Sequence, residues 1–145
     1  MEIGLSTVPP SVTSVTVVVR RGEELVVSAT VPPSRASISL GVAVDDTNIF
    51  WTDRKNGKIQ RAKKADGNSI VELYAGVEGP KGIWLDETHV YWVNAFDGSV
   101  NKTPKDAGEV TVIASGQAKP TNIVVDATHV YWTNFDSNEI VSAPK

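Results

Sequence analysis

Three aspartates recur in matching surroundings, Asp45, Asp86 and Asp126, each two residues ahead of a threonine. Carboxylates repeated in register could converge on a hard cation such as Ca²⁺, which takes oxygen ligands. The same residues suit a plainer task, because an aspartate side chain accepts hydrogen bonds from amides just ahead of it and so closes a turn. Their recurrence wherever the same turn recurs favours the turn. His89 and His129 follow two of those threonines and have the chemistry of bases or ligands. They occupy equivalent places, however, and Asn48 stands at the third, so they too read as turn residues. The chain has no cysteine, which removes thiol nucleophiles, thiolate metal sites and disulfides. It also has no nucleophile elbow, phosphate-binding loop or zinc motif. No catalytic or metal-ligating residue is assigned and no cofactor is expected, Ca²⁺ at the aspartates being the one candidate.

The elements that would position these residues are short and extended. At 145 residues the chain has the length of one domain able to bury a core. A formal net charge of −3 and a pI near 5.3 lack the basic footprint of nucleic-acid binders. The basic run Arg54, Lys55, Lys58, Arg61, Lys63, Lys64 reads as a solvated outer face that could also dock an acidic partner. No apolar run approaches the ~18 residues of a membrane-spanning helix. The first residues, Met1-Glu2-Ile3-Gly4-Leu5, lack the pattern of a signal peptide, leaving either a cytoplasmic protein or a removed leader.

Thr88-His89-Val90-Tyr91-Trp92-Val93-Asn94 returns as Thr128-His129-Val130-Tyr131-Trp132-Thr133-Asn134, with a looser copy at Thr47-Asn48-Ile49-Phe50-Trp51-Thr52-Asp53. Trp51 to Trp92 spans 41 residues and Trp92 to Trp132 spans 40, the length of a four-stranded propeller blade. Each copy begins with an apolar strand at Gly41, Gly82 or Asn122 and continues through the Trp strand and a charged third strand. The first two copies add a fourth strand. Gly, Asp and Asn punctuate these pieces and no 3.6-residue apolar period interrupts them, which predicts an all-β chain. The first strands are expected to be buried on both faces near a propeller axis, and the Trp strands to be sandwiched between blades. Residues 1–40 read as an arm with Pro9-Pro10 and a hairpin, Ser14–Arg21 with Leu25–Val31. The predicted blades are 41–81, 82–121 and 122–145, the last lacking its fourth strand.

Phe50-Trp51-Thr52-Asp53, Tyr91-Trp92-Val93-Asn94 and Tyr131-Trp132-Thr133-Asn134 resemble the YWTD repeat of the low-density-lipoprotein-receptor class. Through the Asp-x-Thr-His-Val-Tyr-Trp wording the later copies are also similar to bacterial YWTD/NHL-type propeller repeats. The resemblance covers residues 41–145 and implies a six-bladed propeller, usually extracytoplasmic, used for binding or scaffolding. Only the first copy keeps the terminal Asp of the motif.

A propeller takes roughly four to eight blades, and three do not close one. The strand at Leu25–Val31 precedes a first strand, where each repeat keeps its fourth, and the third blade lacks one. A head-to-tail homodimer with exchanged N-terminal strands would make a six-bladed ring. The alternative is a fragment of a longer propeller. In such a ring the loops joining second to third and fourth to first strands share one face. That face would display Arg54, Lys55, Lys81, Asn94, Phe96, Asp97, Lys119, Asn134, Phe135 and Asp136. Phe96 and Phe135 could stack on a sugar or peptide ring, although tucking against the neighbouring blade is the favoured alternative. The function expected is a noncatalytic binding or scaffolding module for protein, peptide or glycan, without nucleic acid or membrane insertion. The rival is a lactonase or lyase with an axial metal.

Overall fold

The computed structural model describes residues 15–21, 24–31, 39–65 and 69–145. The arm at residues 1–14 lies outside them. β1 (Val15–Arg21) and β2 (Glu24–Val31) pair antiparallel as the predicted hairpin. The first blade is β3 (Ser39–Val44), β4 (Asn48–Asp53), β5 (Lys58–Lys63) and β6 (Val71–Ala75), hydrogen-bonded in chain order. The second repeats it with β7 (Pro80–Leu85), β8 (His89–Asn94), β9 (Ser99–Pro104) and β10 (Thr111–Ala114). The third has β11 (Pro120–Val125), β12 (His129–Asn134) and β13 (Glu139–Pro144), with no fourth strand in its sheet. All pairings are antiparallel and the described residues contain no helix.

The first strands start two residues earlier than their punctuation suggests, at Ser39, Pro80 and Pro120. Each enters through a register shift, so that Pro80 pairs with Asn94 before Ile83 pairs with Trp92. A proline donates no hydrogen bond and sits without cost at a strand's first position, which is why a boundary drawn at proline falls short.

The core lies between blades. Phe50, Ile59, Leu73 and Val77 of the first blade pack with Ile83, Val90 and Trp92 of the second. Tyr91, Val93 and Val100 of the second pack in turn with Ile123, Val130 and Trp132 of the third. Trp92 and Trp132 thus point rearward, toward the preceding blade, and Phe50 and Tyr91 forward. This is the period-two alternation of a strand carrying apolar residues on both sides. Not every inner-strand residue is covered, however: Val44, Trp84 and Val124 are exposed. Trp84 and Val124 hold matched places, opposite Tyr91 and Tyr131, and Trp84 is exposed even though a blade follows it.

Neighbouring inner strands approach so closely at Gly41 and Gly82 that a side chain is excluded at those two positions. A Cβ on Gly41 would lie 2.5 Å from the Lys81 carbonyl oxygen, and one on Gly82 would lie 2.9 Å from the Asn122 Cα. Backbone cannot yield as a flexible side-chain tip can. Gly41→Ala is therefore expected to destabilise the chain by about 1–3 kcal/mol, as overpacking does, read as a lower urea midpoint.

Candidate functional site

The loops at one end of the blades form a continuous face. Gly57 O accepts from Val77 N at 3.1 Å and Gly98 O from Gln117 N at 2.9 Å, tying each second-to-third-strand turn to the connection that leaves the same blade. Gly79 O accepts from Ala95 N at 2.9 Å and Lys119 O from Phe135 N at 3.1 Å, tying that connection to the next blade's turn. Gly98 adopts φ +69°, and a Cβ there would meet Gln117 O at 2.5 Å, so only glycine fits.

Phe96 and Phe135 stand on this face 63% and 64% exposed. The tucked alternative holds only in part, for the Phe96 ring rests against Gly79, where an added Cβ would lie 2.8 Å from ring carbons. A cation covers each ring: Arg54 Cζ lies 5.3 Å from the Phe96 centroid and Lys119 Nζ 5.0 Å from that of Phe135. Such pairs hold an exposed ring in one orientation while contributing roughly 0.5–1 kcal/mol. Asp136 Oδ1 sits 3.6 Å from Lys119 Nζ, and Lys55 and Asp97 are exposed nearby.

Other residues expected on the face hold it from below. Asn94 and Asn134 are buried. Asn94 Nδ2 donates to Ser99 Oγ at 2.9 Å and to Asp97 Oδ2 at 3.3 Å, and Asn134 Nδ2 donates to Gln117 Oε1 at 3.1 Å. Asp97 Oδ1 accepts from Ser99 N at 2.8 Å. Lys81 is half-buried, and its carbonyl oxygen accepts from the Thr52 hydroxyl at 3.0 Å across the first seam.

Gln117 escaped the sequence reading. Its Oε1 also accepts from Trp132 Nε1 at 3.0 Å, so one amide oxygen satisfies a buried indole and a buried asparagine. At the equivalent place in the preceding connection stands Val77, and Trp92 Nε1 there is buried without a partner among the described residues. The difference between Val77 and Gln117 at matched repeat positions was the available signal. Gln117→Ala is expected to cost roughly 1–3 kcal/mol by orphaning two buried donors, measured by urea denaturation.

At the opposite end the recurrent aspartates close turns. Asp86 Oδ1 accepts from Thr88 N at 2.9 Å and His89 N at 2.8 Å, while Oδ2 accepts from Tyr91 OH at 2.7 Å. Asp126 repeats all three with Thr128, His129 and Tyr131. The histidine rings share a hydrogen bond between Nδ1 and the threonine hydroxyl, at 2.7 and 2.8 Å, which fits turn residues rather than bases. Among the described residues no three His, Asp or Glu side chains gather as a metal site.

These turns also couple blades. Lys105 Nζ of the second blade reaches Asp45 Oδ2 of the first at 3.1 Å, and Lys145 Nζ of the third reaches Asp86 Oδ2 of the second at 2.8 Å. Partial burial opposes ionisation of Asp86, but Lys145, Tyr91 and the two amides outweigh it and hold the carboxyl well below its ordinary 3.8. Burial likewise opposes ionisation of Asp45, and the Asn48 and Thr47 amides with Lys105 lower it. At Asp126 the Thr128 and His129 amides and Tyr131 do so without a lysine. A lowered carboxyl pKa stabilises the fold above the unfolded value, and that contribution is lost as pH falls toward the folded one. Stability is therefore expected to decline below pH 3.8, and Asp86→Asn to lower stability at pH 7 while making that acid decline shallower. Urea midpoints at pH 7 and pH 3 check both.

Radially adjacent four-stranded sheets whose faces bury one another define a β-propeller. The chain is built of three blades of this kind, the third with three strands in its sheet, and their Trp strands resemble YWTD/NHL-type repeats. No protein-family model and no curated protein matches it. Solved structures do. Part of a nidogen/laminin complex is similar with a TM-score of 0.72 at 22% identity, over 81% of this chain and 48% of that one. Virginiamycin B lyase from Staphylococcus aureus is similar with a TM-score of 0.64 at 17% identity, over 92% of this chain and 49% of that one. A streptogramin B lyase gives 0.66 at 13% identity, over 92% and 48%. The chain thus spans about half the length of the propellers it matches, and at these identities the likeness is one of fold.

Proposed function

We propose that this chain is a noncatalytic propeller module that binds a protein or peptide segment on its loop face, within a six-bladed ring of two copies. The observation that carries the reading is the pair of exposed rings, Phe96 and Phe135, fixed under Arg54 and Lys119 in equivalent turns. Exposed aromatics held by neighbours present apolar area with little conformational entropy left to lose, the property of interface anchors. The cations beside them suit a segment that carries a carboxylate near an aromatic or aliphatic side chain. The nidogen propeller, described in complex with laminin, is a precedent for partner binding on this fold. The lyases stand for the rival reading, which needs nonrepeated acid or base groups converging on an axis. The two histidines here are committed to repeated turns. The proposed module works without a cofactor, and a large thermal shift on adding Ca²⁺ would count against that.

Peptide and glycan arrays probed with the 145-residue chain test the reading. Capture by peptides, lost with Phe96→Ala combined with Phe135→Ala, is the expected result. The loss should be roughly tenfold or more in Kd, about 1.4 kcal/mol. Capture that survives the double substitution, or by glycans alone, would contradict it.

A further inference from the structure

The three blades present the same face forward, and its environment differs sharply along the chain. Ile59 and Val100, at matched places on the third strands, are 0% exposed, packed against the next blade and flanked by the fourth strand of their own sheet. Ile140, their counterpart, is 79% exposed. The Thr52 hydroxyl accepts from Gly41 N and donates to Lys81 O of the following blade. Thr133 Oγ1 likewise accepts from its own inner strand, at Asn122 N, and shares a hydrogen bond with Thr121 Oγ1 of the same blade. It bonds to no following inner strand among the described residues.

The charges repeat the pattern and say what is missing. Asp45 and Asp86 each receive a lysine from the next blade, Lys105 and Lys145. Those lysines follow the third strands, each donating its amide to a turn threonine carbonyl, at Thr88 and Thr128. The matching lysine of the first blade is Lys64, whose amide donates to Thr47 O at 2.9 Å. Among the described residues Lys64 makes no ion pair and Asp126 has no lysine. An aspartate lacking its lysine stands at one end of the array, and a lysine lacking its aspartate at the other.

We infer that the forward face of the third blade is a docking surface for the first blade of a second copy. The partner's Lys64 pairs with Asp126, and Ile140 enters the seam. This rests on the two-copy ring proposed above and specifies how its halves recognise each other. Asp126, already ionised by its turn amides and Tyr131, presents a fixed anion to the incoming ammonium. Two positions shape the new seam differently from those within the chain. Asn122 stands where Gly41 and Gly82 leave room, and Asn138 where Gly57 and Gly98 do, so the copies meet across a wider gap at those points. On the other side Ile49 and Trp51 are already 3% and 6% exposed in the single chain, so newly covered apolar surface comes from the third blade.

Sedimentation velocity on the 145-residue chain tests this, with Asp126→Lys, Lys64→Asp, the charge-swapped double variant and Ile140→Asp, each checked for an unchanged far-UV spectrum. The expected result is a wild-type dimer at micromolar concentration, weakened at least tenfold by either single charge reversal and by Ile140→Asp. Carrying both reversals in one chain should restore association, since both seams between the copies are then reversed together. A monomer at tens of micromolar would overturn both the ring and this seam. A dimer indifferent to all four variants would overturn the seam and leave the ring standing.

Discussion

Each Trp strand carries apolar side chains on both of its faces, and a sheet centred on such a strand is insoluble on two sides unless other sheets cover it. Phe50 and Trp51, Tyr91 and Trp92, or Tyr131 and Trp132 are adjacent in sequence and so point to opposite faces. Fully burying one such side chain contributes about 1.5–3 kcal/mol. No single blade gains that on both faces, and the architecture follows from stacking blades until the faces meet. The second blade achieves this: Tyr91, Trp92 and Val93 are all buried. The close glycines of the inner strands, the loop ties and the lysine–aspartate pairs all serve seams that this burial creates.

The same comparison of magnitudes separates what holds a seam from what selects it. A partly exposed lysine–aspartate pair contributes about 0–1 kcal/mol, less than one large apolar side chain. Lys105 with Asp45 and Lys145 with Asp86 therefore fix which blade follows which, and at what register, more than they hold the blades together. The turns beneath them are sturdier in design, because Asp86 and Asp126 satisfy two amides and a tyrosine hydroxyl at once. The repeated aspartates suggested a cation site, but most of their oxygen capacity is spent on the protein's own donors.

Much of the fold was legible because it rests on alternation, turn residues and a repeat period, all local or periodic properties of the chain. The Trp strands fell where their wording placed them, and the hairpin formed between Val15 and Val31. Boundaries at Pro80 and Pro120 were missed because proline punctuates loops and opens strands alike. The loop face was half legible. Its location followed from blade topology, but whether Phe96 and Phe135 stand out or Asn94 and Asn134 sink depends on three-dimensional neighbours. Gly79, Arg54 and Gln117 decide those outcomes from another blade or another turn. The partnering of Asp86 with Lys145, 59 residues away, is of the same kind.

Amide hydrogen exchange compared between β8 and β12 tests most directly whether neighbouring blades set stability. Both strands are flanked by two hydrogen-bonded strands, so within-sheet pairing is matched, and they differ in whether a blade covers the forward face. In the dilute chain β8 should exchange markedly more slowly than β12, and the difference should shrink as concentration rises and second copies cover Ile140. Equal protection of β8 and β12 at every concentration would show that each sheet is stable on its own, and would contradict the account.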